Sequence, residues 1–111
     1  MKKIAMLNCL NANDRCTGAG CLKAFYARTG GFAAYGEEEL TLTAMARCSH
    51  CRMPLEEDTG MQEKLDRLLE IGTQTVHIGV CASPRGQHCP TMESYAEWLN
   101  GHGIEVVWRT H

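Results

Sequence analysis

The feature that most constrains the fold is an alternation of short strand-like runs with helical stripes. Ile4-Ala5-Met6-Leu7 is continuously apolar, the pattern of a strand buried on both faces of a parallel sheet. After the polar loop Asn8 to Asp14, Gly18-Ala19-Gly20-Cys21 opens a helix on which Leu22, Phe25 and Tyr26 recur at helical spacing. Gly30-Gly31 ends it. Glu39 to Arg47 is a second strand, with Leu40, Leu42 and Ala44 alternating against Thr41, Thr43 and Met45. Thr59 and Gln62 have the spacing of a capping box, and Met61, Leu65, Leu68 and Leu69 form the stripe of a helix that Gly72 stops. Thr75 to Val80 is a third strand. Pro90 suits the first turn of a third helix carrying Met92, Tyr95, Ala96 and Leu99. Gly101 and Gly103 close that helix, and Ile104 to Trp108 is a fourth strand.

Strands that alternate with helices predict right-handed crossovers and a sheet covered on both sides. The expectation is a three-layer α/β domain over residues 1–111, with a four-stranded, mostly parallel sheet in flavodoxin-like order 2-1-3-4. No repeat, linker or low-complexity segment interrupts it.

Apolar residues make up 44% of the chain, enough for a core without covalent staples. Seven cysteines therefore call for another explanation than a disulfide scaffold, and an odd number leaves at least one thiol unpaired within the chain. The net charge is −2 and the basic residues are scattered, which argues against a nucleic-acid partner. Met1-Lys2-Lys3 starts like a signal peptide, but the apolar run after it ends at Asn8, well short of the ~7–15 residues such a segment needs. No run approaches the ~18 apolar residues of a membrane span. These features predict a cytoplasmic protein with reduced thiols free to bind metal.

The thiols have an ordered placement. Cys9 follows the first strand, Cys48 and Cys51 the second, Cys81 the third, and His111 the fourth. In an open parallel sheet those positions share the carboxyl edge, where ligands bind in such folds. Neighbouring strands are ~4.8 Å apart, so loops there can bring distant thiols together. Cys16, Cys21 and Cys89 occupy loops or helix starts on the same side, and Cys21 is placed for the helix dipole to favour its thiolate. Cys48-Ser49-His50-Cys51 is a C-x-x-C, a spacing that grips one soft ion; there is no second one.

This ordered set resembles the CGGC-domain family of small predicted metal-binding proteins. The likeness runs from Cys9 through Cys16, Cys21 and Gly30-Gly31-Phe32-Ala33-Ala34-Tyr35 to the C-x-x-C, Cys81, Cys89-Pro90 and the closing Thr110-His111. The chain departs from the central motif, having Ser49-His50 in place of two glycines, and has Arg109 where glycine is common. The resemblance implies metal binding and no particular reaction.

Three functions are consistent with this reading. The first is a metal-binding protein, zinc by default, with Cys9, Cys48, Cys51, Cys81 and His111 as principal donors and Cys16, Cys21 and Cys89 as further ones. The second is a redox protein with an iron–sulfur cluster or a Cys48/Cys51 dithiol. The third is a binding module with a structural metal. The bland alternatives are cysteines packed as small hydrophobes and a frayed His111. His50 and His88 are expected in solvent, His77 as a satisfied core histidine, and His102 at a helix end. Gly18-Ala19-Gly20 lacks the third glycine and the lysine of a phosphate loop.

Overall fold

A computed structural model describes all residues, Met1–His111. Strand β1 (Lys2–Asn8) is central, paired in parallel with β2 (Leu40–Arg47) on one side and β3 (Thr75–Ile78) on the other. Strand β4 (Glu105–Val107) adds to β3, giving the all-parallel order β2-β1-β3-β4. Residues Ile4 to Leu7 are at most 1% exposed, as a continuously apolar central strand requires. The expected α/β architecture and strand order are therefore those observed.

Helix α1 (Ala19–Ala27) and the turn Gly30–Tyr35 cover one face. There Ile4 and Met6 pack with Cys21, Ala24, Phe25 and Phe32. Helices α2 (Thr59–Glu70) and α3 (Pro90–Gly101) cover the other, where Ala5, Leu7, Val76 and Ile78 meet Met61, Leu65, Leu68, Met92, Tyr95 and Leu99. Alternate residues of β1 thus feed two separate cores, because successive side chains in a strand point to opposite faces.

Two local expectations change. The alternation in β2 puts Leu40, Leu42 and Ala44 on one face, but the register slips at Thr43: Ile4 pairs with Leu42 and Ala5 with Ala44. Thr43 is the extra residue, and its hydroxyl donates to the Ile4 carbonyl at 2.9 Å. Beyond this bulge the strand's inward face is reversed. Leu40 and Leu42 pack on the α1 side, whereas Ala44 and Ala46 pack on the α2/α3 side. The start of α2 is also different. Asp58, 1% exposed, is its cap, its carboxylate accepting from the Met61 N–H at 3.0 Å. Gln62 does not reach back as a capping box would; its amide donates to the Leu55 carbonyl instead.

His77 is the satisfied core histidine expected. Fully buried in β3, it stacks on Phe32 with ring centroids 4.3 Å apart. Its Nε2 lies 2.7 Å from Tyr35 Oη and its Nδ1 2.7 Å from Thr110 Oγ1. Burial, and secondarily the charge of Lys2, lowers its pKa from 6.5 to about 4. A lowered histidine stabilises the fold above its unfolded pKa, and that contribution is lost as pH falls from 6.5 toward about 4. Urea denaturation across this range should show wild type losing about 3 kcal/mol more than His77→Gln between neutral pH and pH ~4. Parallel losses in the two proteins would contradict a neutral buried imidazole.

Candidate functional site

The loop that leaves β1 organises the site. Three consecutive residues donate to sulfurs from three other positions: the Cys9 N–H to Cys81 Sγ at 3.2 Å, the Leu10 N–H to Cys48 Sγ at 3.1 Å, and Asn11 Nδ2 to Cys51 Sγ at 3.1 Å. The Gly18 N–H donates likewise to Cys16 Sγ at 3.3 Å. The parallel register makes this possible, since Cys48 enters the loop by continuing the β1–β2 ladder, its N–H bonded to the Asn8 carbonyl. Sulfur acceptors of this kind are best satisfied when the sulfur carries negative charge.

The candidate residues do meet at the carboxyl edge, but in two neighbourhoods. Cys9, Cys48, Cys51, Cys81 and Cys89 line a cavity of about 560 Å³, together with Asn11, Arg52, Pro84 and Met92. Cys89 reaches it from the cap position of α3, with Pro90 in the first turn. The second neighbourhood lies on the α1 side. Cys21 Sγ is 3.4 Å from His111 Nδ1 and 3.7 Å from Asn8 Oδ1. Cys81 Sγ is 3.8 Å from the same Asn8 oxygen and so borders both neighbourhoods. Cys16 is near enough for its charge to be felt by Cys21 and Cys81. Nowhere do three histidine, cysteine or carboxylate side chains surround one point as a ready ligand shell.

Burial pushes the thiols of Cys21, Cys48 and Cys81 above the ordinary cysteine value. At Cys21 the charges of Cys81 and Cys16 push in the same direction. The dipole-favoured thiolate expected there is overturned: Cys21 is only 2% exposed, and burial outweighs the helix end. All seven thiols are free.

His111 is not frayed into solvent on a loose tail. The Thr110 N–H bonds to the Ile78 carbonyl at 3.1 Å, and the Gly31 N–H to the Thr110 carbonyl at 3.0 Å. A Cβ on Gly31 would lie 2.8 Å from Thr110 Oγ1, and one on Gly20 would lie 3.2 Å from the His111 ring. Those glycines are places where tail and fold touch without side chains between them.

His50, His88 and His102 have partners other than sulfur. His50, with its side chain 60% exposed, has Nδ1 3.2 Å from Asp58 Oδ2, which ties the C-x-x-C loop to the start of α2. His88 stacks on Trp108 and His102 on Trp98. Replacing the family's two glycines imposes no backbone strain, because the left-handed residue of this loop is Arg52, at φ 63°. Sequence reading missed Asn8, Asn11 and Tyr95. Tyr95 Oη is buried without a partner, and its pKa is pushed up to about 12 by burial and then by Cys48. No spacing marks these three; Asn8 is distinguished only by preceding Cys9.

A family model described as the CGGC domain matches residues 3–111, taking in every candidate residue. No curated protein and no solved structure matches the chain.

The burial pattern sets an order of thiol reactivity. In reduced, metal-free protein, iodoacetamide should label exposed Cys51 first and the buried Cys21 and Cys48 last, at least roughly tenfold more slowly. Peptide mass spectrometry over time reads this directly. Equal rates at Cys48 and Cys51 would contradict the placement.

Proposed function

The chain belongs to the CGGC-domain family, and from that premise together with the cavity we propose that it is a small metal-binding protein, with zinc as its ion. The observation that carries this reading is the convergence of five cysteines from four separate segments on one cavity. Soft thiolates on N–H donors suit zinc, a borderline-soft ion that readily takes sulfur ligands. Cys9, Cys48, Cys51 and Cys89 would hold it, with Cys81 on the shared wall. When bound, four-coordinate zinc would cross-link the loops after β1 and β2 and the start of α3, a structural role.

Binding must displace protons from thiols that burial holds protonated, so affinity rises with pH. No helix is long and apolar enough to cross a membrane, and metal binding through thiols would suit a reducing, cytoplasmic setting.

A second reading, an iron–sulfur protein, is favoured by one observation. A cavity of about 560 Å³ is far roomier than a single ion requires, and N–H···S bonds are the groups that tune cluster potentials. The dithiol form is less well supported. C-x-x-C oxidoreductases lower the pKa of one thiol at a helix start, but α2 begins at Thr59 and burial raises Cys48.

Elemental analysis and a visible spectrum of anaerobically purified protein test these readings together. Zinc gives colourless protein whose metal content falls at least about twofold in Cys48→Ser/Cys51→Ser. Unchanged content in the double variant would remove the cavity as the site, and brown protein rich in iron would select the cluster.

A further inference from the structure

The sheet has two open edges, and they differ. Strand β4 is three residues long and carries Glu105, whereas β2 runs for eight residues with no neighbour beyond it. Natural sheets protect an edge by shortness, charge, proline or a covering element. The stretch Leu40–Ala46 contains no charged residue and no proline. No residue of β2 is buried, and Met45 is 52% exposed.

The hydrogen bonds at its two ends show which backbone groups face outward. The Lys2 N–H bonds to the Glu39 carbonyl and the Cys48 N–H to the Asn8 carbonyl, so Glu39 and Cys48 both face β1. Successive residues of a strand alternate between its two edges in their hydrogen bonding. Counting forward from Glu39 turns Leu40 and Leu42 outward. Counting back from Cys48 turns Arg47 and Met45 outward. The two counts are out of phase, and they meet at the Thr43 bulge. Lys64 Nζ donates to the Arg47 carbonyl at 2.8 Å. The N–H and C=O groups of Leu40, Leu42 and Met45 have no protein partner.

Such a row of donors and acceptors is complemented by another strand. The phase change at the bulge leaves half of any regular partner out of step, but β2 matches itself. Laid antiparallel about a two-fold axis at the bulge, Leu42 meets the partner's Met45 and Leu40 the partner's Arg47. Outward residues then face outward residues on both sides of the bulge. The lack of charge from Leu40 to Ala46 leaves no like charges opposed there. The adjoining groove between β2 and α2 is lined by Ala44, Ala46 and Leu68 with Glu63, Lys64 and Arg67. Its charges are of both signs, which a two-fold axis can set against their opposites.

We propose that β2 is the interface of a homodimer, in which two copies join edge to edge into one sheet of eight strands, four from each. The axis turns the second copy's strands antiparallel to the first. The two cysteine-lined cavities therefore open at opposite ends, each complete within its own chain. The dimer needs neither metal nor thiol chemistry, so it stands or falls apart from the proposed function.

Sedimentation velocity at micromolar concentrations, with reductant and chelator present, tests it, and circular dichroism checks folding. Wild type should sediment as a dimer. Met45→Lys sets a charge on the free edge and should weaken the dimer at least about tenfold with an unchanged dichroism spectrum. Met45→Pro removes only an outward N–H, so it should do the same without breaking the ladder to β1. If the proline variant does not fold, the lysine variant, at an exposed side chain, keeps the test decisive. Glu105→Lys, on the opposite edge, should leave the dimer intact. Hydrogen exchange should show the Leu42 and Met45 amides protected in wild type and released in Met45→Lys. A monomeric wild type overturns the interface, as does a dimer that is indifferent to Met45→Lys or is lost in Glu105→Lys.

Discussion

Strand β1 is hydrogen-bonded along both edges and apolar on both faces, and the rest of the molecule is arranged by that fact. A strand in this position leaves little backbone for water, so its neighbours must pair with its buried stretch, Ile4 to Leu7, in a fixed register. All three pairings in the sheet are parallel. Every strand consequently empties its chain at the same edge, and the residues following β1, β2 and β3 are neighbours by construction. The ladder continues into the loop, where the Cys48 N–H still bonds to Asn8. One step further the donors are Cys9, Leu10 and Asn11, and the acceptors have become sulfur. The site is an extension of the sheet's own hydrogen bonding.

The fold was readable because its signals are burial patterns. A continuous apolar run such as Ile4 to Leu7, and stripes such as Met61, Leu65 and Leu68, report directly which faces are inside. What the pattern misread has a physical cause in each case. At Thr43 a bulge adds a residue against β1, so the alternation that looked uniform along β2 serves one core before the bulge and the other after it. At the start of α2, Asp58 and Thr59 are both good capping residues, and the buried carboxylate wins by also meeting His50.

The site was legible as a list of residues and not as a grouping. The carboxyl-edge rule places Cys9, Cys48, Cys51 and Cys81 at one end of the sheet, and they are there. It says nothing about which face of the sheet each thiol lies on. Cys48 packs with the α2/α3 core and Cys21 with the α1 core, so a single set of eight candidates becomes two neighbourhoods that meet at Cys81. Burial also decides the chemistry in a way spacing cannot. Cys21 sits in the first turn of α1, where the dipole favours a thiolate, yet its enclosure keeps the proton on. Asn8 could not be singled out in the sequence, and Tyr95 was legible only as a core residue of α3, because their surroundings come from the fold.

Ser49 and His50 stand at the motif's two glycine positions without needing a glycine's backbone. Glycines matter where φ is positive or where a Cβ has no room. Neither condition holds at positions 49 and 50, since the positive φ falls on Arg52. Both conditions do apply elsewhere in the chain: Gly30 has φ 57° and its Cβ would strike the Thr110 carbonyl, and Gly31 has no room beside the Thr110 side chain. Glycines that the architecture needs thus include those gripping the C-terminal segment, outside the motif. That leaves the segment between Cys48 and Cys51 free to carry other chemistry, and His50 uses the freedom to fasten the loop to the buried Asp58.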